Sequence, residues 1–303
     1  MLFTLRMLIL LLLTSFTVWG QGMYEITHEI PDKGKTMMHK DFESKYVANR
    51  HIEVWLPPNF ESNGSKKYPV IYMHDGQNIF HNRNASQQMD WGIDEILTGL
   101  IHADKIPEVI VVAAWNTPLR IAEYMPQKAF DMLTDEDLAR IPNIRGFQPL
   151  SDQYLKFMVE ELKPYIDNTY PTLQDRENTA IMGASMGGLI SLYAISEYPD
   201  IFGYAGCIST HFPIGNGIVL DYMKEYLPAP DSHKIYFDYG TKTLDAQYEP
   251  YQKKADKIMK ENGWEENVNW ITKKFEGHEH SEKAWRSRVH IPLLFFFGTE
   301  ENL

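Results

Sequence analysis

Gly183-Ala184-Ser185-Met186-Gly187, an acid at Asp238 or Asp245 and a histidine at His278 or His280 can together support nucleophilic chemistry, because a serine, an acid and a histidine follow one another in the order a serine nucleophile needs. A serine hydroxyl is a poor nucleophile at neutral pH. It becomes useful when a histidine takes its proton, an acid holds the imidazole in the right tautomer, and N–H donors receive the charge on the attacked carbonyl oxygen. Residues 179–182, Thr-Ala-Ile-Met, read as a short buried strand, and residues 188–195, Gly-Leu-Ile-Ser-Leu-Tyr-Ala-Ile, read as a helix. Ser185 therefore sits on a sharp strand-to-helix corner that projects its hydroxyl out of the sheet. The flanking glycines fit there because a Cβ would clash where strand and helix nearly touch.

The acid has two candidates. Residues 234–240, Lys-Ile-Tyr-Phe-Asp-Tyr-Gly, read as a strand that runs into a loop at 241–245, with helical pattern resuming at Ala246. An acid that orients an imidazole belongs just past the strand's carboxyl end, which favours Asp245 over Asp238, still inside the strand. Two histidines, His278 and His280, follow a last strand at 270–275, and the residues alone leave both open as the base. A zinc reading of His-x-His lacks the H-E-x-x-H pattern and a nearby cysteine, so no metal is expected. His211, just past a strand at 204–208, is expected to line the pocket. A strand at 68–73 stops at His74-Asp75-Gly76-Gln77-Asn78, where the N–H of Gly76 or Gln77, with that of Met186, makes an oxyanion site of roughly 3 kcal/mol per donor.

These residues need a frame. Residues 23–59 read as an antiparallel hairpin at the edge, with alternation over 50–56 ended by Pro57-Pro58. A helix at 94–102 precedes a strand at 109–114, and a long helix at 151–168 carries Tyr154, Leu155, Phe157, Met158 and Leu162 on one face. Strands alternating with helices imply a mostly parallel central sheet, helices on both faces, and sites at the strands' carboxyl ends. Residues 115–144 have little periodicity and, with Trp115, Arg120, Tyr124 and Phe130, are expected to form a pocket wall or lid. Arg120 is expected either to contact substrate or to pair with Glu123 inside that loop.

The stretches Val70 to Asn78, Arg120-Ile121-Ala122-Glu123-Tyr124-Met125-Pro126, Tyr154 to Phe157, Tyr165-Ile166-Asp167, Ile181 to Gly188 and Glu279-His280-Ser281-Glu282-Lys283-Ala284-Trp285 resemble the esterase family that includes esterase D, enterochelin esterases, feruloyl and acetyl-xylan esterases and the mycolyltransferases. Together they span most of the chain. The resemblance implies an α/β-hydrolase fold with antiparallel N-terminal edge strands and a carboxylic-ester hydrolase activity. It favours His280, the histidine before Ser-Glu-x-x-Trp, over His278. At 240–245 the chain departs from relatives whose acid stands closer to the glycine.

Composition agrees with one enzyme domain at residues 21–303. The single cysteine, Cys207, lies in an apolar strand and reads as core packing. A formal net charge of −12, one unit more negative without Arg6, argues against nucleic acid and anionic membrane surfaces as partners. Residues 1–20 read as a signal peptide: Arg6, an apolar stretch over 7–18, and a cleavage site at Val18-Trp19-Gly20 before Gln21. A secreted or periplasmic protein without stable membrane association follows. The expected substrate is a small-molecule or saccharide ester, and no cofactor is implied. An acyltransferase using the same triad, or a non-catalytic binding protein on a hydrolase scaffold, are the alternatives.

Overall fold

The computed structural model describes residues 23–27, 32–62, 64–140 and 146–298, so the expected signal peptide lies outside the described residues. The strands are β1 Met23–Thr27, β2 Lys35–Phe42, β3 Arg50–Leu56, β4 Val70–Met73, β5 Ile110–Ala114, β6 Thr179–Ala184, β7 Tyr204–Ile208, β8 Lys234–Gly240 and β9 Trp270–Phe275. They form one sheet in the order β1-β2-β3-β5-β4-β6-β7-β8-β9. The expected N-terminal hairpin is present, and antiparallel pairing runs from β1 through β2 and β3 onto β5. From β5 through β4 and β6 to β9 every pair is parallel. Apolar runs such as Ile110-Val111-Val112 suit strands covered on both faces.

Side chains alternate across the sheet. Val70, Tyr72, Ile110, Val112, Ile181, Ile235 and Phe237 face one core, whereas Ile71, Met73, Val111, Met182 and Tyr236 face the other. The second core is closed by α1 (Ile93–His102) and by segments near the carboxyl end of the chain. Between α1 and the first core's cover lie α2 (Arg120–Tyr124), α3 (Gln127–Asp131) and α4 (Asp135–Arg140). The expected irregular segment thus holds three short helices, because Pro118 and Pro126 punctuate it without preventing single turns. Its residues 141–145 lie outside the described residues.

The long helix expected at 151–168 is α5 (Ser151–Lys156) and α6 (Lys163–Thr169) joined through a π-helical segment at Phe157–Leu162. The wider turn keeps Tyr154, Leu155, Phe157, Met158 and Leu162 in the first core, where a strict 3.6 period would rotate some away. Next come α7 (Met186–Glu197), α8 (Ile218–Tyr226) and α9 (Glu249–Glu261), then α10 (Glu282–Arg286) and α11 (His290–Phe297). In α7 every residue from Met186 to Ile195 is buried, so it is apolar all round. Cys207 is buried in the first core as its strand suggested. Among the described residues no helix is long and apolar enough to cross a membrane.

Two buried histidines, His39 and His74, should make the fold acid-sensitive. His39 is bonded by Tyr165 and Tyr170 through its two ring nitrogens, and His74 meets the Tyr154 hydroxyl at 2.8 Å. Burial lowers His39 to about 4 and His74 to about 3. Both stay neutral while the unfolded chain takes up protons below about 6.5, so stability should fall as pH drops from about 6.5 towards 4. Urea midpoints at pH 7.5 and 4.5 test this, and His39→Gln should flatten the slope. Equal slopes for the two proteins would show that His39 is not held neutral.

Candidate active site

Strands β4 to β8 end side by side, so the loops after them share one edge of the sheet. Ser185 follows β6 directly and adopts φ 61°, ψ −119°, a backbone conformation that costs roughly 1–3 kcal/mol for a side chain larger than glycine. Neighbouring strands hold it: its N–H donates to the Ile208 carbonyl at 2.9 Å, and its carbonyl accepts from the His211 N–H at 3.2 Å. At Gly183 a Cβ would stand 3.1 Å from the backbone of Gly187, so the strand and the helix start can close on each other only without a side chain.

The loop after β8 tightens into a 3₁₀ turn at Thr243–Gln247, and α9 starts at Glu249, later than the pattern at Ala246 suggested. Asp245 is buried in that turn, with its Oδ1 2.5 Å from Nδ1 of His280. Its Oδ2 accepts from the Gly240 N–H at 2.6 Å and from Ser209 Oγ at 2.7 Å. Burial pushes this carboxyl up, but the hydrogen bonds from His280, Ser209 and Gly240 outweigh it and leave it below the ordinary value. Thr243 Oγ1 accepts from the His280 N–H at 2.9 Å and fixes the histidine loop. Trp285 stands edge-on to the His280 ring, with centroids 5.0 Å apart.

Asp238 and His278 are brought elsewhere. Asp238 is fully buried against Arg288, which reaches its two oxygens at 2.9 and 3.1 Å, and it makes no hydrogen bond to His280. Burial raises the Asp238 carboxyl, and Arg288 and the Ser209 N–H oppose that rise. His278 packs on Phe275 with centroids 5.3 Å apart.

On the other side of Ser185, Asp75 is in left-handed conformation with φ 57°, and Gly76–Asn78 form a 3₁₀ turn. A Cβ on Gly76 would lie 2.7 Å from the Ala113 carbonyl carbon and oxygen. Among the described residues the N–H groups of Gly76, Gln77 and Met186 donate to no protein acceptor. The turn approaches the helix start, since a Cβ on Gly187 would be 3.5 Å from Asp75 Oδ2. Asp75 takes a bidentate contact from Arg120, at 2.6 and 2.7 Å, and Asn116 Nδ2 at 2.5 Å.

Ser185 and His280 open on one pocket of about 290 Å³, whose walls include Asn78, Gln87, Trp91, Arg120, Glu282 and Trp285. Arg120 lines it through Asp75, while Glu123 pairs with the buried Arg50 at 2.6 Å, so the Arg120–Glu123 pair allowed by their spacing does not form. Trp115, expected on the wall, packs edge-on against His51 at 5.1 Å, where its backbone N–H also bonds the His51 carbonyl, and Asn116 lines the wall instead. His211 stands one layer back: its Nδ1 meets the Tyr248 hydroxyl at 2.7 Å, and the Tyr248 ring lies edge-on to His280 with centroids 5.8 Å apart. Burial lowers His211 to about 4. Glu282 is a buried carboxyl raised by burial, 3.4 Å from Asn78 Nδ2. Among the described residues no cluster of three or more His, Cys, Asp or Glu side chains suits a metal ion.

Tyr248, Ser209 and Arg288 escaped the sequence reading, and Glu282 entered it only within the Ser-Glu-x-x-Trp stretch. Arg288 lies in the turn after α10, and it and Trp285 both donate to Ser209 Oγ, contacts that no local pattern marks.

A sequence profile described as Putative esterase matches residues 45–291. The chain belongs to this esterase family. It is an enzyme, a carboxylic ester hydrolase, and its mixed, mostly parallel sheet is that of the α/β-hydrolases. Among its relatives, the uncharacterized Bacillus subtilis (strain 168) protein YbbA is 24% identical over 279 residues, 89% of this esterase and 99% of YbbA. A solved ferulic acid esterase superposes with a TM-score of 0.62 at 20% identity, covering 92% of this chain and 99% of that one. The enterobactin esterase FES from Shigella flexneri, solved with 2,3-di-hydroxy-N-benzoyl-glycine present, superposes with a TM-score of 0.60 at 17% identity, covering 89% and 60%.

The close fit at Gly76 yields a test. In Gly76→Ala the methyl meets backbone that cannot yield, so the turn must move away from Ser185 by a fraction of an ångström or more. The esterase should then lose on the order of 10² in kcat on p-nitrophenyl acetate. Unchanged kcat in a folded variant would remove this turn from the reaction.

Proposed function

We propose that the enzyme hydrolyses carboxylic esters through a Ser185–His280–Asp245 triad and an acyl-enzyme. Ser185 Oγ attacks the ester carbonyl as His280 takes its proton, and the carbonyl electron pair moves onto oxygen. The N–H of Met186, with that of Gly76 or Gln77, receives this charge. His280 returns the proton to the leaving alcohol as the C–O bond breaks, and water resolves the acyl-enzyme by the same steps in reverse. Asp245 holds the imidazole by its Nδ1 side and offsets the imidazolium charge. The observation that carries the reading is the 2.5 Å contact of Asp245 with His280, on the pocket that Ser185 opens into from its strained turn.

The substrate we propose is an exported ester, an acylated saccharide or a siderophore. The support is a pocket with amide, carboxylate and guanidinium groups beside two tryptophans, together with relatives whose names are ferulic acid esterase and enterobactin esterase. Arg120 and Glu282 would meet its polar groups. Export rests on residues 1–20 acting as a cleaved signal. Mass spectrometry of the protein recovered from its native host should give an N-terminus at Gln21, and a retained leader would count against export.

Ser185→Ala and His280→Ala should each lose on the order of 10⁴ to 10⁶ in kcat on p-nitrophenyl acetate, whereas His278→Ala should lose much less. An alanine variant at 185 with more than a tenth of the activity would end the nucleophile assignment, and reversed losses at 278 and 280 would exchange the bases. Activity should rise with pH on a single-proton limb, because only neutral imidazole accepts the serine proton. It should survive prolonged EDTA. Loss that zinc restores, in an enzyme indifferent to a serine-directed phosphonate, would mean the histidines act as ligands.

A further inference from the structure

Asp238 lies outside the triad but not apart from it. Four donors hold it as a carboxylate: Arg288 Nε at 3.1 Å, Arg288 NH2 at 2.9 Å, the Tyr236 hydroxyl at 3.0 Å and the Ser209 N–H at 3.0 Å. Arg288 NH2 also donates to Ser209 Oγ at 2.7 Å and lies 3.9 Å from Asp245 Oδ2. Ser209 Oγ gives its own proton to Asp245 Oδ2 and accepts a further bond from Trp285 Nε1 at 3.0 Å. Asp238, Asp245, Ser209 and Arg288 are all at most 1% exposed.

The charges in this cluster matter because water does not screen them. Asp245 alone would place one negative charge behind the imidazole. Arg288 alone beside it would cancel that charge, and a buried guanidinium cannot shed its proton. Asp238 compensates Arg288, so the cluster carries a net −1. The arginine can then brace Ser209, and through it Asp245, without opposing an imidazolium.

We propose that Asp238 and Arg288 form a buried counter-charge pair that, through Ser209, positions Asp245 and keeps the net charge behind His280 at −1. The three are positioning residues, and the inference rests on the triad reading above. They exchange no proton in the reaction. Their effect is on the charge that the imidazolium meets in the transition state. His280 also faces Tyr248, His211 after β7, Glu282 on α10 and the Asp75–Arg120 pair across the pocket, and Arg288 also meets His278 Nδ1 at 3.4 Å; all are retained in the variants that keep Arg288.

The test compares the acid limb of kcat/KM for p-nitrophenyl acetate in variants whose folding is followed by circular dichroism. Asp238→Asn removes one negative charge and leaves Arg288 uncompensated, so the limb should move down by about one pH unit and the plateau should fall about tenfold. The double variant Asp238→Asn with Arg288→Met restores the net −1 and should return the limb to within a few tenths of the wild-type position. Ser209→Ala keeps every charge but removes a donor from Asp245, leaving that carboxylate more basic, so its limb should move up. An unmoved or raised limb in Asp238→Asn, or a double variant as displaced as the single, overturns the proposal. If Asp238→Asn does not fold, Ser209→Ala decides, and an unmoved limb there overturns it. Should Ser185→Ala remain active, the triad reading itself has failed. An inactive Ser185→Ala alongside unmoved limbs would sink the counter-charge pair alone.

Discussion

The approach of β6 to α7 is the constraint on which the rest depends. Ser185 can stand at the sheet's edge with φ 61° only because the strand before it and the helix after it are locked by buried side chains, and because Gly183 lets Gly187 come close. The strain of roughly 1–3 kcal/mol is offset by burial on both faces of the sheet. Among the described residues, the Met186 N–H at the start of α7 has no protein acceptor, as expected for the first turn of a helix. One backbone corner therefore carries both the Ser185 hydroxyl and the unpaired Met186 N–H.

Charge inside the molecule is arranged in pairs around this corner. Arg50 and Glu123, each 1% exposed, tie β3 to α2. That contact fixes the helix carrying Arg120, which reaches Asp75 in the turn beside Ser185. On the opposite side, Arg288 from the end of the chain meets Asp238 at the end of β8. Removing one member of such a pair costs far more than the pair contributes, because the remaining charge is stranded away from water. The pairs thus set where loops from distant parts of the chain can lie, which a catalytic site made of loops requires.

The pocket follows from these two arrangements. Its polar walls are Asn78 and Glu282 at one end and Asn116 and Arg120 at the other, with Trp91 and Trp285 stacked obliquely behind at 5.7 Å. Ser185 thus shares its pocket with hydrogen-bonding side chains and with two aromatic rings. Tyr248, held by His211, packs edge-on against His280.

Local pattern was enough to determine the strands, the corner at Ser185 and the order of serine, acid and histidine, because each depends on residues only a few positions apart. Composition and spacing also sufficed for the parallel sheet and the antiparallel hairpin. Tertiary structure shows which of the near neighbours meet. Asp238 and Asp245 differ by seven positions and His278 and His280 by two, yet only one of each pair faces the other, because the 3₁₀ turn after Gly240 and the loop before α10 set their directions. The π-helical segment, the partner of Arg120, the displacement of Trp115 and the role of Arg288 lay beyond the sequence for the same reason. Each depends on contacts between residues far apart in the chain, and a period or a motif carries no information about which distant side chain arrives to compensate a buried charge.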